Sequence, residues 1–300
     1  MTKSGTFPAY AEPTHFDLAE LMVAYDFSGA ADCSLKYAVM LAKRFGSIIH
    51  LIGVQSPADY ASALDAGPWA MEMSQRDLQV GLQDVADRLR AKGVWCDSVR
   101  RIGTISDTLE GAILEHAPDL LFLGAFGFGK IDRLHLGSTA EHLLRTARCP
   151  AFVLGPHSLV PAPEAPPVER ILCATSSFDT SEHVLGFAAR LAARLRASLE
   201  LIRVVDAAQQ TMSPGQHARG CEDWCNELRE RGIPVSLDVI YGRADQAITA
   251  RAVKSKSSLI LFGLHRSGNQ MIDCPDGVVS ATIRQAHCPV MTVPPDLPHR

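Results

Sequence analysis

The sequence predicts an α/β fold of two tandem units, each a five-stranded parallel sheet flanked by helices. The chain contains one pattern twice, because the segment from Leu21 aligns with that from Ile171, and the segment from Gly103 with that from Gly242. Within each copy, short apolar runs alternate with stretches of helical periodicity. That alternation is typical of a parallel sheet with helices on both faces, which binds ligands beyond the carboxyl ends of its strands.

The elements of the first copy follow from its apolar pattern, and the second copy repeats their order. Strands are predicted, in this order, for LMVAY, IIHLIGV, WCDSVRRIG, DLLFLG and AFVLG, of which LMVAY is a short apolar run fit for a buried strand. Helices are predicted around Leu35–Ala42 and for MEMSQRDLQVGLQDVADRLRAKG, SDTLEGAILEHA and STAEHLLRTA. The third of these helices has Ser106 or Asp107 near its N-cap, since both residue types cap helices well.

A proline-rich segment separates the two copies. Residues 159–169 read LVPAPEAPPVE, and this composition favours an extended, semi-rigid linker. We therefore expect a first domain over residues 1–158 and a second over residues 170–300.

Composition excludes several classes of protein. The chain has 300 residues and a formal net charge of -4, so no strong positive field attracts nucleic acid. It contains no apolar run long enough to span a membrane, and its N-terminus lacks the apolar segment of a secretory signal. The eight cysteines are spread along the chain and are expected to be buried thiols rather than a disulfide framework. These features predict a cytoplasmic protein.

A glycine cluster follows the fourth strand of the first copy. Gly124, Gly127 and Gly137-Ser138 form the pattern G-x2-G-x9-G-S, which runs from the end of a strand to the start of a helix. Glycines let the backbone approach a ligand closely, and a helix N-terminus attracts phosphate. A flexible loop followed by a capped helix explains the same spacing, so the pattern alone leaves both interpretations open.

The surrounding sequence resembles the universal stress protein family in its tandem form, from about Leu21 to Pro294. The resemblance rests on YDFS after the first strand, HLIGV as the second strand, the DLLFLG…GST loop and the Cys-Pro before the last strand. It implies Rossmann-like domains related to the adenine nucleotide α-hydrolase fold, and ATP as the ligand, with or without Mg²⁺. No metal-binding residues are predicted.

The resemblance also implies roles for single residues of the first copy. It places Asp26 at the ribose and Val54 beside the adenine. It places Gly124 and Gly127 along the nucleotide, and the phosphates at Gly137, Ser138 and Thr139.

Asp26 has an alternative role that needs no ligand. A carboxylate at the end of a strand can accept hydrogen bonds from ribose hydroxyls, but it can also cap the helix that starts near Ala30. Val54 is equally explained as a core residue. The loop charges Lys130, Arg133 and His135 either neutralise phosphate or are simply solvated.

The second copy departs from the glycine pattern. Asp26, Gly127, Gly137 and Ser138 align with Ser176, Arg266, Asp276 and Gly277. Each change opposes the binding of ATP. Ser176 lacks the carboxylate, Arg266 adds bulk where the backbone would approach the ligand, and Asp276 places a negative charge where phosphate would lie. We therefore expect ATP in the first domain only, with Asp276 capping the helix of the second.

Other titratable residues give weaker patterns. Cys221 and Cys225 share one face of a predicted helix downstream of His217, which supplies at most three ligands where structural zinc needs four. A redox role for this pair is an alternative. His116, His142 and His287 are expected in helical segments, solvated or hydrogen-bonded.

Three functions remain open on the sequence alone. The first is an ATP-binding regulator of the stress response without fast hydrolysis, and the second is a slow ATPase or adenylyl-transferring enzyme. The third is a scaffold that binds no nucleotide. The resemblance further implies that the two domains pair through their last strands, near Ala151–Leu154 and Val290–Val293, and the sequence leaves a homodimer open.

Overall fold

The computed structural model describes residues 18–56, 68–126, 136–160, 162, 164–175, 182–205, 221–267, 270–272 and 277–295. The chain divides into two compact units, the first ending at Leu154 and the second beginning at Gly155. Both units are α/β with parallel sheets, as predicted.

The first unit contains a parallel sheet of five strands in the order β3-β2-β1-β4-β5. The strands are β1 (Glu20–Ala24), β2 (Ile48–Gln55), β3 (Cys96–Ile102), β4 (Leu120–Gly124) and β5 (Ala151–Leu154). The helices are α1 (Gly29–Phe45), α2 (Pro68–Arg90), α3 (Ile105–His116) and α4 (Ser138–Thr146). Strand β1 pairs with β2 on one side and with β4 on the other, so the order of the strands reverses at this point. The switch point of the sheet therefore lies between β1 and β4.

The second unit repeats this order as β12-β9-β6-β7-β8. Its parallel strands are β6 (Arg170–Thr175), β7 (Ser198–Val205), β8 (Val235–Tyr241), β9 (Leu259–Gly263) and β12 (Val290–Val293). Its helices are α5 (Glu182–Leu195), α6 (Cys221–Glu230), α7 (Ala244–Ser255) and α8 (Val278–Gln285). A short antiparallel hairpin follows β9, and the sequence analysis did not predict its strands β10 (His265–Ser267) and β11 (Gln270–Ile272).

Apolar runs become central strands because both of their faces are covered. All residues of β5, β9 and β12 are buried, as are the first four of β4, and none of these segments shows the alternation of a half-exposed strand. Right-handed crossovers place α1 and α2 on one face of the first sheet and α3 and α4 on the other. Among the described residues, no helix is long and apolar enough to cross a membrane.

One helix boundary differs from the prediction. Helix α3 begins at Ile105 with Thr104 as its N-cap residue, rather than with Ser106 or Asp107. The sequence Thr-Ile-Ser-Asp offers three residues that can cap, and Asp107 instead occupies the first turn, where its charge complements the helix dipole.

Candidate functional site

The turn from β1 to α1 lies at the switch point of the first sheet. Ser28 is the N-cap of α1, and its Oγ accepts a hydrogen bond of 3.1 Å from the backbone N–H of Ala31. The exposed Asp26 accepts a hydrogen bond of 3.0 Å at Oδ1 from the backbone N–H of Ser28. Ser28 rather than Asp26 is therefore the N-cap residue of α1, and Asp26 has a structural role in the turn that precedes the helix.

Gly124 ends β4 directly opposite this turn. A Cβ at this position would lie 2.9 Å from the Cβ of Ala30 and 3.5 Å from the backbone nitrogen of Ala31. The glycine thus allows the first turn of α1 to pack against the end of β4. This close approach brings the β1–α1 turn and the carboxyl end of β4 together.

The N-terminus of α4 completes the same edge. Gly137 is the N-cap residue, and its N–H donates a hydrogen bond of 2.9 Å to the carbonyl of Ala125, just beyond β4. Ser138 is exposed, Thr139 is partly exposed, and Gly137, as the N-cap residue, has no side chain with which to cap the first turn. The N–H groups of that turn, with the positive end of the helix dipole, are therefore suited to an anion.

Val54 lies on the neighbouring strand at the same edge. The N–H of Tyr25 donates a hydrogen bond of 2.9 Å to the carbonyl of Ile52, so the chain leaving β1 runs beside the end of β2. Val54 follows two residues later and is partly exposed. Next to it, Tyr25 donates its hydroxyl hydrogen bond to Asp32. Burial, together with this hydrogen bond, raises the pKa of Tyr25.

The structure thus gathers Asp26, Val54, Gly124 and the Gly137–Thr139 segment at one edge of the first sheet. Gly127 and the loop charges Lys130, Arg133 and His135 lie outside the described residues.

The corresponding edge of the second unit is built differently. Gly263, which aligns with Gly124, lies against Val184, whose Cγ1 would be 2.9 Å from an added Cβ. Helix α8 begins at Val278, and its N-cap is Gly277 in the left-handed conformation with φ 78°. The first helical residue thus lies one position later than in α4, and capping by the carboxylate of Asp276 stays a prediction. The side chains of Ser176, Arg266 and Asp276 lie outside the described residues.

The cysteine pair lies on a helix, as predicted. Cys221 and Cys225 belong to α6 and are both fully buried. A hydrogen bond from Cys221 lowers the pKa of the Cys225 thiol, although burial opposes this effect. Among the described residues, no further metal ligand groups with these two thiols.

The three helical histidines of the sequence analysis have different surroundings. Nε2 of His142 in α4 lies 3.0 Å from Oε1 of Glu110 in α3, and Asp107 brings a third possible ligand atom within 4.8 Å of both. The i, i+3 spacing of the two acidic residues was readable from the sequence, but the packing of α3 against α4 was not. His287 lies after α8 rather than in a helix, and its Nε2 lies 3.1 Å from the carbonyl of Ser257.

An ionic cluster around the buried His50, at the opposite, amino-terminal edge of the first sheet, was missed. His50 lies between Glu20, at 2.6 Å from Nε2, and Asp97, at 2.9 Å from Nδ1. The hydrogen bond to Asp97 raises the pKa of His50, and that to Glu20 adds to the effect, while desolvation opposes it. The ring of His116 packs on His50 with centroids 4.5 Å apart. The partners come from three strands, so no local motif marks the cluster.

Comparisons with known proteins agree with this fold. The sequence profile of the universal stress protein family matches residues 19–155 and again residues 167–294. A universal stress protein of Methanocaldococcus jannaschii is 23% identical over 137 residues, which are 45% of this chain and 81% of that protein.

Two solved structures share the tandem arrangement of the chain. A universal stress protein from Archaeoglobus fulgidus superposes with a TM-score of 0.73 at 18% identity, covering 93% of this chain and 97% of that one. For a putative universal stress protein from Pseudomonas aeruginosa, the TM-score is 0.63 at 19% identity, with 93% and 94% of the two chains covered. At these identities the similarity shows the fold.

Proposed function

Because the chain belongs to the universal stress protein family, we propose that its first unit binds ATP and that the protein is a nucleotide-dependent regulator of the stress response. The nucleotide lies at the carboxyl edge of the first sheet, over the switch point between β1 and β4. ATP binding stabilises the ligand-competent conformation of this unit and thereby biases its association with a partner.

Each predicted residue has a role that its chemistry supports. The exposed carboxylate of Asp26 accepts hydrogen bonds from the ribose hydroxyls, and Val54 bounds the adenine. Gly124 and Gly127 line the nucleotide. The phosphates bind at Gly137, Ser138 and Thr139, where backbone N–H groups and two hydroxyls are the donors.

The N-terminus of α4 is the observation that carries the proposal. Gly137 provides no capping side chain, and its N–H is held by the carbonyl of Ala125 just beyond β4, so the first turn of α4 lies at the same edge of the sheet as Asp26. A helix N-terminus beside a strand switch point suits the phosphates of a nucleotide.

The second unit, in this proposal, binds no ATP. Its corresponding helix starts one residue later behind a left-handed Gly277, and Ser176 supplies no carboxylate at the position of Asp26. The shift moves the first N–H donors away from the place that they occupy in α4.

A negative charge introduced at the helix N-terminus tests the proposal. The affinity for ATP is measured by calorimetric titration of the full chain, and the wild type is compared with Ser138→Asp. The new carboxylate repels the phosphates, so we expect the affinity to fall about tenfold or more. Gln246→Asp is the matched control, since it adds the same charge to an exposed position in the first turn of α7 in the second unit. Equal affinities of wild type and Ser138→Asp would contradict the proposal.

A further inference from the structure

A cavity of about 660 Å³ opens at the amino-terminal edge of the second sheet, the edge opposite to the one discussed above. It lies where β6, β7 and β8 begin and where α7 ends. The cavity is lined by four basic side chains and one carboxylate. The basic side chains are those of Arg170, Arg229, Arg251 and Lys254, and the carboxylate is that of Glu200. Its size is typical of a site for a small molecule.

Neutral acceptors hold two of the arginines without cancelling their charge. Nη1 of Arg170 donates to the carbonyl of Ser255 at 2.6 Å. Nε of Arg229 donates to the carbonyl of Val235 at 2.9 Å, and its Nη1 donates to Oδ1 of Asn226 at 2.6 Å. Both guanidinium groups are thus fixed in position while keeping a full positive charge.

The remaining arginine is paired with the carboxylate of the cavity and with a second one outside its lining. Arg251 contacts the buried Glu200 through Nε at 2.5 Å and Asp238 through Nη1 at 3.2 Å. Across the part of the chain that the structure describes, Arg170, Arg229 and Lys254 have no carboxylate partner. Three uncompensated cations therefore converge on one cavity of a protein whose net charge is -4.

The first unit shows that the fold does not require the charges of Arg170 and Lys254, although it retains the arginine at the position of Arg229. The bond from Arg229 to the start of β8 has its equivalent in Arg90, whose Nε donates to the carbonyl of Cys96 at the start of β3. At four aligned positions, however, an acidic residue of the first unit is replaced by a neutral or basic one in the second. The pairs are Glu20 and Arg170, Asp87 and Asn226, Asp97 and Ser236, and Glu115 and Lys254.

The helix dipoles alone do not explain why these acidic residues of the first unit are replaced in the second. Basic residues in a last turn complement the negative end of a helix, but that end carries only about half a charge. The last turn of α3, which matches that of α7, contains Glu115 where α7 has Lys254. Arg170 begins a strand, and its Nη1 donates to the carbonyl of Ser255 at the end of α7, but a full guanidinium charge exceeds the half charge of that helix end.

We propose that this cavity binds a small organic phosphate, whose dianionic phosphate group is contacted by Arg170, Arg229 and Lys254. Guanidinium forks match the geometry of phosphate oxygens, and three full charges match a dianion better than a single carboxylate. The hydroxyls of Ser198 and Ser236, which also line the cavity, can bind the hydroxyl groups of a sugar. This site is separate from the ATP site proposed in the first unit.

The test uses ribose 5-phosphate as probe, titrated into the full chain by calorimetry with ribose and succinate as comparison ligands. We expect saturable binding of ribose 5-phosphate and weaker or no binding of ribose and of succinate. Lys254→Glu and Arg170→Glu introduce the residues that the first unit has at these positions, so the fold should accept them. Each should weaken binding about tenfold or more, because a charged hydrogen bond is lost and a repulsion is added.

Two controls keep the result interpretable. Lys92→Glu reverses an exposed charge after α2 of the first unit and should leave the affinity unchanged. Asp26→Ala should also leave it unchanged, which separates this site from the proposed ATP site. The proposal fails if wild type does not bind ribose 5-phosphate, if succinate binds equally well, or if Lys92→Glu or Asp26→Ala weakens binding as much as Lys254→Glu.

Discussion

Replacing Gly124 with alanine tests its role in the packing of α1 against β4. The added Cβ would lie 2.9 Å from Cβ of Ala30 and 3.4 Å from the carbonyl carbon of the same residue. Carbon atoms in contact are about 3.5–4.0 Å apart, so the overlap with the methyl group of Ala30 is about 0.6–1.1 Å. Neither atom belongs to a side chain that can rotate away, and helix α1 must therefore shift.

We expect Gly124→Ala to lower the free energy of unfolding of the first unit by about 1–3 kcal/mol in the absence of nucleotide. Urea denaturation followed by circular dichroism measures this difference. Gly111→Ala is the control: it lies in α3 with no atom within 4 Å of its added Cβ, and should stabilise by about 0.5–1 kcal/mol. If Gly124→Ala is as stable as wild type, the close packing of α1 on β4 is not what requires the glycine.

Two further predictions concern the buried ionic groups at the amino-terminal edges of the sheets. Because hydrogen bonds to carboxylates raise the pKa of His50, its contribution to stability is complete below its unfolded pKa of about 6.5 and is lost as the pH rises through its folded pKa. The loss of stability caused by His50→Gln, measured by urea denaturation, should therefore be larger at about pH 6 than at about pH 9, and a pH-independent loss would contradict the assignment. In the second unit, Arg251→Met leaves Glu200 buried without its cation and should destabilise by about 3–5 kcal/mol, whereas Glu200→Gln with Arg251→Met should recover part of the loss. Equal stabilities of the single and double variants would refute this pairing.

Apolar periodicity was sufficient to predict most of the fold. The runs around Val23, Leu51 and Phe122 have the length and composition of buried parallel strands, and the structure confirms all three. The boundaries were less certain where several residues could serve the same purpose. Thr104 rather than Ser106 or Asp107 is the N-cap of α3, and local preference does not distinguish between these residues.

The sequence predicted those residues of the candidate site that lie near the end of a strand or the start of a helix, because the order of these elements defines the edge of the sheet. Asp26 closely follows β1 and Gly137 immediately precedes α4, so their positions were predictable from the alternation of elements. The ion pairs of His50 and Arg251 join strands and helices that are distant in sequence, so no local sequence pattern predicts them. The basic cavity likewise depends on α7 ending beside the starts of β6 and β7, which the sequence alone does not reveal.

The stoichiometry of ATP binding tests the central claim most directly. Calorimetry on the full chain is compared for wild type, Asp26→Ala and Ser176→Ala, which alter aligned positions in the two units. We predict one ATP per chain, an affinity about tenfold lower or worse in Asp26→Ala, and no change in Ser176→Ala. Two equivalent ATP sites per chain, or a loss of affinity in Ser176→Ala with none in Asp26→Ala, would contradict a nucleotide site confined to the first unit.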